Sequence, residues 1–397
     1  MKNLRYWIWF TQSIGYCSVK AKQITQLYDS IEEFYFGGEA EWRFSGLFSE
    51  NEIDKLKKTP LTVSDSIISK CCELSYETIT LEDKHYPECL KSIDDPPAVL
   101  YVSGMLPDID NRLSIAIVGT RKASQYGTSS SYNFANKLAS VGVTVVSGGA
   151  LGVDCASHYG ALAADGVTIC VLGCGINYDY LRENAKMRSD ITFKGAVISE
   201  YPPDTKPYAY NFPQRNRIIS ALSDGILLIE AGKKSGSLIT VNTALEQDFQ
   251  KKIFALAGTN DPRFDGSNEL IKNGIASLVT DYKDILNAYN NLYATTEIDI
   301  GIPKDEVIDL IPVKGKAPKE FEGFAVNDLS DLPVHKENPD LSEIEKQIYY
   351  TINNEPLHID KLSELTEIPV YKLLASLTML EVKGYIKCVQ GRSYILV

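Results

Sequence analysis

The residues best suited to gripping an anion lie in Phe212-Pro213-Gln214-Arg215-Asn216-Arg217-Ile218-Ile219. Arg215 and Arg217 flank Asn216 where a polar loop should become a helix that turns apolar through Ile218, Ile219 and Leu222. A helix N-terminus already offers free N–H groups and partial positive charge. Two guanidinium forks placed there suit phosphate oxygens. Three further segments combine glycine, hydroxyl and basic residues: Gly119-Thr120-Arg121-Lys122, Ser147-Gly148-Gly149-Ala150-Leu151-Gly152 and Gly232-Lys233-Lys234-Ser235-Gly236-Ser237. Glycine lets a backbone approach a ligand, and successive N–H groups can form an anion nest. Arg121, Lys122, Lys233 and Lys234 would add charge. Taken singly, each segment is also an ordinary strand–helix turn or a solvated charge pair.

What unites them is the scaffold. Apolar runs at 114–119, 144–149, 167–173, 196–200, 225–230, 252–256 and 277–280 alternate with helical stretches. Continuous apolar strands separated by helices predict a parallel sheet covered on both faces, an α/β fold. Ligands of such sheets sit beyond the carboxyl ends of the strands. All four segments fall there, so the expected ligand is a phosphate-bearing chain or a nucleotide. A dinucleotide fits less well, because the first strand ends Gly119-Thr120-Arg121 without a G-x-G-x-x-G, and no Walker Lys-Ser/Thr follows a suitable loop. His158 stands four residues after Asp154, on one helical face. With no nucleophile beside them, the pair is expected to stabilise the helix, and no residue is assigned to catalysis. Eight scattered cysteines and four histidines give no metal-ligand pattern. The expectation is no metal, no cofactor, and reduced thiols in a cytoplasmic protein. No apolar run nears the ~20 residues of a membrane span.

A net charge of −12 argues against a polyanion ligand until it is mapped. Residues 112–284 carry 18 Lys+Arg against 16 Asp+Glu, whereas residues 1–111 carry 11 against 18. A polyanion site should therefore be local and lie in the middle of the chain. Residues 1–74 read as a helical domain in which Gly15 turns between short helices, of SAM/helix-hairpin-helix-like type. Its acidity favours an interaction module over a nucleic-acid binder. Residues 75–111 read as a proline-bounded connector, 112–290 as the α/β domain and 291–340 as an acidic linker. Residues 341–397 read as three helices and a hairpin, a winged helix. Lys372 is the only basic residue of that third helix, so contacts with protein are as much expected of it as contacts with DNA.

Together the motifs resemble the DNA-processing protein A (DprA/Smf) family. The pattern is visible in Gly119-Thr120-Arg121, in Ser147-Gly148…Gly152-Val153-Asp154 with His158, and in Ser199-Glu200-Tyr201-Pro202. It continues in Phe212-Pro213…Arg215-Asn216-Arg217, in Glu230-Ala231…Ser235-Gly236-Ser237-Leu238 and in Gly266…Asn268…Leu270-Ile271…Gly274. The resemblance implies an extended Rossmann-like core that dimerises, binds single-stranded DNA in a basic pocket and helps load RecA recombinase during natural transformation, without catalysis. Carried over by motif, Arg121, Arg215 and Arg217 should hold phosphate, assisted by Lys233 or Lys234. Ser147, Gly148 and Ser235–Ser237 should line the pocket. The rival readings are a nucleotide-processing enzyme similar to LOG-type phosphoribohydrolases and a nucleotide sensor. The first is weakened because Glu230-Ala231-Gly232-Lys233-Lys234-Ser235-Gly236-Ser237 stands where those enzymes carry Pro-Gly-Gly-x-Gly-Thr-x-x-Glu.

Overall fold

A computed structural model describes residues 3–293, apart from 249, and most positions between 341 and 396. Two compact units divide the chain, Met1–Ile302 and Pro303–Val397. In the first unit, nine described strands form one sheet: β1 (Glu77–Thr80), β2 (Val99–Gly104), β3 (Ser114–Val118), β4 (Thr144–Ser147), β5 (Thr168–Leu172), β6 (Ala196–Ser199), β7 (Gly225–Leu228), β8 (Lys252–Ala255) and β9 (Ser277–Leu278). All seven apolar runs singled out in the sequence are strands, and they pair in parallel. Their side chains divide by alternation, as a strand's period of two requires. Ala116, Val118, Val146, Ile169, Val171, Ile226 and Leu228 enter one apolar cluster. Ile115, Ile117, Val145, Leu227 and Ile229 enter the cluster on the opposite face.

The strand order is β1-β2-β6-β5-β4-β3-β7-β8-β9. From β3 the chain steps outward through β4, β5 and β6, then returns to β7 on the other side of β3. This reversal opens a crevice between the carboxyl ends of β3 and β7, the place where parallel sheets bind ligands.

Residues 75–111, read from sequence as a connector, supply β1 and β2, which extend the sheet in antiparallel sense from β6. Val99, Leu100, Tyr101 and Val102 are buried, and pairing with β6 satisfies backbone groups that burial would otherwise leave open. The N-terminal helices Leu4–Ile14, Lys20–Leu27, Ile31–Phe44, Glu50–Lys58 and Leu61–Glu73 centre on Trp7, Trp9, Phe10, Phe34 and Trp42. These aromatics belong to the same apolar cluster as one face of the sheet, so the helices and the sheet share a core. The turn after the first helix, at Gly15 (φ 102°), is half-buried. Tyr16 packs edge-on against Tyr201, and Cys17 N–H and Sγ lie 3.4 and 3.5 Å from the Glu200 carboxylate.

In the second unit the helices Glu343–Thr351 and Ile359–Thr366 and the antiparallel strands Ile386–Val389 and Ser393–Leu396 surround a core that includes Ile348, Leu362, Leu373, Leu377 and Ile386. The expected acidic linker beyond 293 lies outside the described residues, and the expected third helix, over 370–380, lies largely outside them. No helix among the described residues is long and apolar enough to cross a membrane.

Candidate nucleic-acid interface

The β3–β7 crevice is walled by two of the four expected loops. Gly119, Thr120, Arg121 and Lys122 follow β3, and Lys233, Lys234, Ser235, Gly236 and Ser237 follow β7 by a few residues. Lys122, Lys233, Lys234 and Gly236 are exposed, while Arg121, Thr120 and Ser235 are half-buried. The Arg121 guanidinium lies 5.3 Å from the centre of the Phe212 ring, a cation–π contact. Across the crevice the helix Ser237–Gln247 begins without a side-chain cap, and the Ser235 and Ser237 hydroxyls bond each other at 2.7 Å. Basic side chains, hydroxyls and a helix N-terminus thus lie on the loops at the switch point.

The neighbouring helix start is already filled. Glu230, fully buried at the end of β7, accepts hydrogen bonds from Ser124 N–H (3.0 Å) and Ser124 Oγ (2.7 Å) at the N-terminus of the helix Gln125–Ser140. A Cβ at Gly127 would fall 2.2 Å from the Glu230 carboxylate, so glycine makes room for it. The protein's own carboxylate occupies the position that holds pyrophosphate in dinucleotide-binding folds.

Arg215 and Arg217, expected to hold phosphate, are buried. Both lie on the helix Asn211–Ala221 and point inward, 4% and 5% exposed. Arg217 Nη2 donates to Glu200 at 2.7 Å and its Nε to Asp95 at 2.9 Å. Its charge is therefore met inside the protein by two carboxylates. Arg215 Nη1 donates to Gly148 O (2.8 Å) and to Val171 O, tying the ends of β4 and β5 together. It shares this space with Asp154: a Cβ at Gly148 would lie 2.7 Å from both Arg215 Nη2 and Asp154 Oδ2. Asn216 accepts from Arg215 Nε at 3.3 Å.

The second glycine segment is largely buried as well. Ser147 is buried and donates to Ile117 O at 2.7 Å, which uses its hydroxyl inside the sheet. Gly148 and Gly149 are buried. Gly152, at φ 76°, brings its loop against the β3 loop, where a Cβ would meet Thr120 O at 2.5 Å. These residues hold the crevice in shape from below.

Asp154 and His158 do not pair with each other. The Thr168 hydroxyl donates to Val145 O at 2.8 Å, so its 2.8 Å contact with His158 Nδ1 must be a donation from the ring. His158 is thus a neutral Nδ1–H tautomer with a buried, unpartnered Nε2. Burial, with the Arg215 charge adding to it, lowers its pKa from 6.5 to about 3. The unfolded chain therefore binds this proton more readily between pH 6.5 and about 3, and the native state loses stability as pH falls through that window. At pH 5 the loss should be about 2 kcal/mol. Urea unfolding at pH 7.5 and pH 5 should show it in the wild type, and His158→Asn, which keeps the donor to Thr168, should remove most of it.

Sequence reasoning missed the acidic partners Glu200 and Asp95 and the capping Glu230. It also passed over an aromatic edge, although Tyr208-Ala209-Tyr210-Asn211-Phe212 alternates visibly. The Phe212 ring lies 5.4 Å from that of Tyr180, and the rings of Tyr208 and Tyr210 stack at 5.5 Å and 6°.

The model of the DNA recombination-mediator protein A family matches residues 77–290, and that of the DprA winged helix domain matches residues 333–392. Protein Smf of Synechocystis is 30% identical, covering 98% of this chain and 98% of its own. Protein Smf of Escherichia coli is 38% identical over 61% of this chain and 68% of its own. The X-ray structure of DNA processing protein A from Streptococcus pneumoniae aligns with a TM-score of 0.62 at 30% identity, over 71% of this chain and 97% of that one. A Helicobacter pylori relative, described for its single-stranded DNA binding mode, aligns with a TM-score of 0.50 at 33% identity, over 55% of this chain and 98% of that one. A match of this extent, across the sheet that builds the crevice and again at the C-terminus, places this chain in the DNA recombination-mediator protein A family.

Proposed function

We propose that this protein binds single-stranded DNA at the β3–β7 crevice and, as family membership implies, helps load RecA recombinase onto it. The observation that carries this reading is the meeting of Arg121, Lys122, Lys233 and Lys234 at the switch point of the sheet, in a protein whose overall charge is −12. A phosphate chain suits such a site better than one phosphate does, because the cations come from separate loops. The reading is of binding without catalysis: His158 is buried against Thr168, and Glu230 is occupied with Ser124. The H. pylori relative's single-stranded DNA binding mode supports the choice of ligand. Homodimerisation through the Rossmann-like domain is part of the same reading, and Ile275 and Leu278, exposed at the β9 edge, are suited to it.

Fluorescence anisotropy with a labelled 20-nucleotide oligo-dT, its duplex form and a mononucleotide tests the assignment. Preference for the single strand is expected. Tight mononucleotide binding with negligible affinity for oligonucleotides would point to a sensor, and release of free base from nucleotides would point to the phosphoribohydrolase reading.

A further inference from the structure

We propose that Tyr208 and Tyr210 form a stacking strip for the bases of the bound strand, a contact separate from the phosphate-binding cations; this rests on the single-stranded DNA reading above. The two rings are half-buried and lie parallel, 6° apart with centroids at 5.5 Å. A parallel aromatic pair with exposed surface can extend its stack by a further flat ring, and every base has one.

The strip belongs to the same rim as the crevice. Its loop follows β6, and two residues after Tyr210 comes Phe212, whose ring contacts Arg121 from the β3 loop. Backbone bonds hold the strip in place: Gly175 N–H donates to Thr205 O (2.9 Å), Asn177 N–H to Pro203 O (2.9 Å) and Asn211 N–H to Tyr208 O (3.0 Å). Pro202, Pro203 and Pro207 restrict the same loop further. A braced surface loses little freedom on binding. Exposed Lys206, just before the strip, can meet the backbone of a strand whose bases lie on the rings.

Stacking is indifferent to base identity but needs unpaired bases, because a duplex hides their faces. The strip would therefore supply preference for single strands without sequence preference, which the cations alone cannot give.

The test compares binding of the full-length protein to oligo-dT and to an abasic oligonucleotide of equal length. Tyr208→Leu with Tyr210→Leu should weaken oligo-dT binding roughly tenfold or more. Abasic binding and the salt dependence should stay unchanged, and Tyr208→Phe with Tyr210→Phe should retain wild-type affinity. Equal oligo-dT affinity in the leucine pair, or a parallel loss on the abasic strand, overturns the proposal. A second measurement needs no variant: ultraviolet cross-linking of wild-type protein to an oligonucleotide carrying 5-iododeoxyuridine, followed by peptide mass spectrometry. Adducts at Tyr208 or Tyr210 are expected, and adducts at other residues with none at these two overturn it. If the wild type binds no single strand at all, the underlying reading falls as well; if it binds and the strip is silent, only this inference falls.

Discussion

Arg217→Ala should destabilise the protein by about 3–5 kcal/mol, the usual cost of removing one partner from a buried ion pair. The substitution would strand Glu200, 2% exposed, and remove the cation that Asp95 faces. It would also loosen a three-way junction, since Glu200 is the group that Cys17 of the N-terminal turn approaches. The motif taken alone suggests a different outcome, loss of binding with the fold intact. Chemical denaturation distinguishes the two. A large drop in the unfolding midpoint is expected, and Arg217→Met combined with Glu200→Gln should recover much of it, because the buried Glu200 charge is then removed with its partner and the carboxylate left over, Asp95, is partly exposed to water. An Arg217→Ala protein of unchanged stability that has lost DNA affinity would return the side chain to the interface.

The opposite pattern is expected of the exposed cations. Replacing Arg121, Lys122, Lys233 and Lys234 together with alanine should weaken single-strand binding on the order of a hundredfold or more near physiological salt, through loss of phosphate contacts. Stability should change little, since Lys122, Lys233 and Lys234 are exposed and Arg121 is only half-buried. Single substitutions should each have a smaller effect, with Arg121→Ala the largest, because its contact with Phe212 fixes it in position.

Much of the scaffold was legible in the chain. Apolar runs such as Ser114-Ile115-Ala116-Ile117-Val118 have no polar face and must be covered on both sides, which dictates the parallel sheet and hence the rim where the loops gather. The β3 and β7 loops were legible for the same reason. What failed was inference from residue type to direction. Phe212-Pro213-Gln214-Arg215-Asn216-Arg217 announces two cations but not that the helix turns both inward, because that depends on Asp95, 122 residues away, and on Glu200. Strand β2 was hidden by the flanking Pro96, Pro97 and Pro107, and β1 by having Ile79 as its one apolar residue; the two gain their place only from the open edge of β6. Glu230 reads as an ordinary strand-end carboxylate until the fold sets it over Gly127 and against Ser124.

The most direct measurement is the salt dependence of oligo-dT binding for the wild type and the fourfold alanine variant. A single strand held by about four phosphate contacts should give log K against log salt a slope of roughly −3, at about −0.7 per contact. That slope is expected for the wild type and a much shallower one for the variant. Equal slopes for the two proteins, with both still folded, would contradict it and move the DNA site away from the β3–β7 crevice.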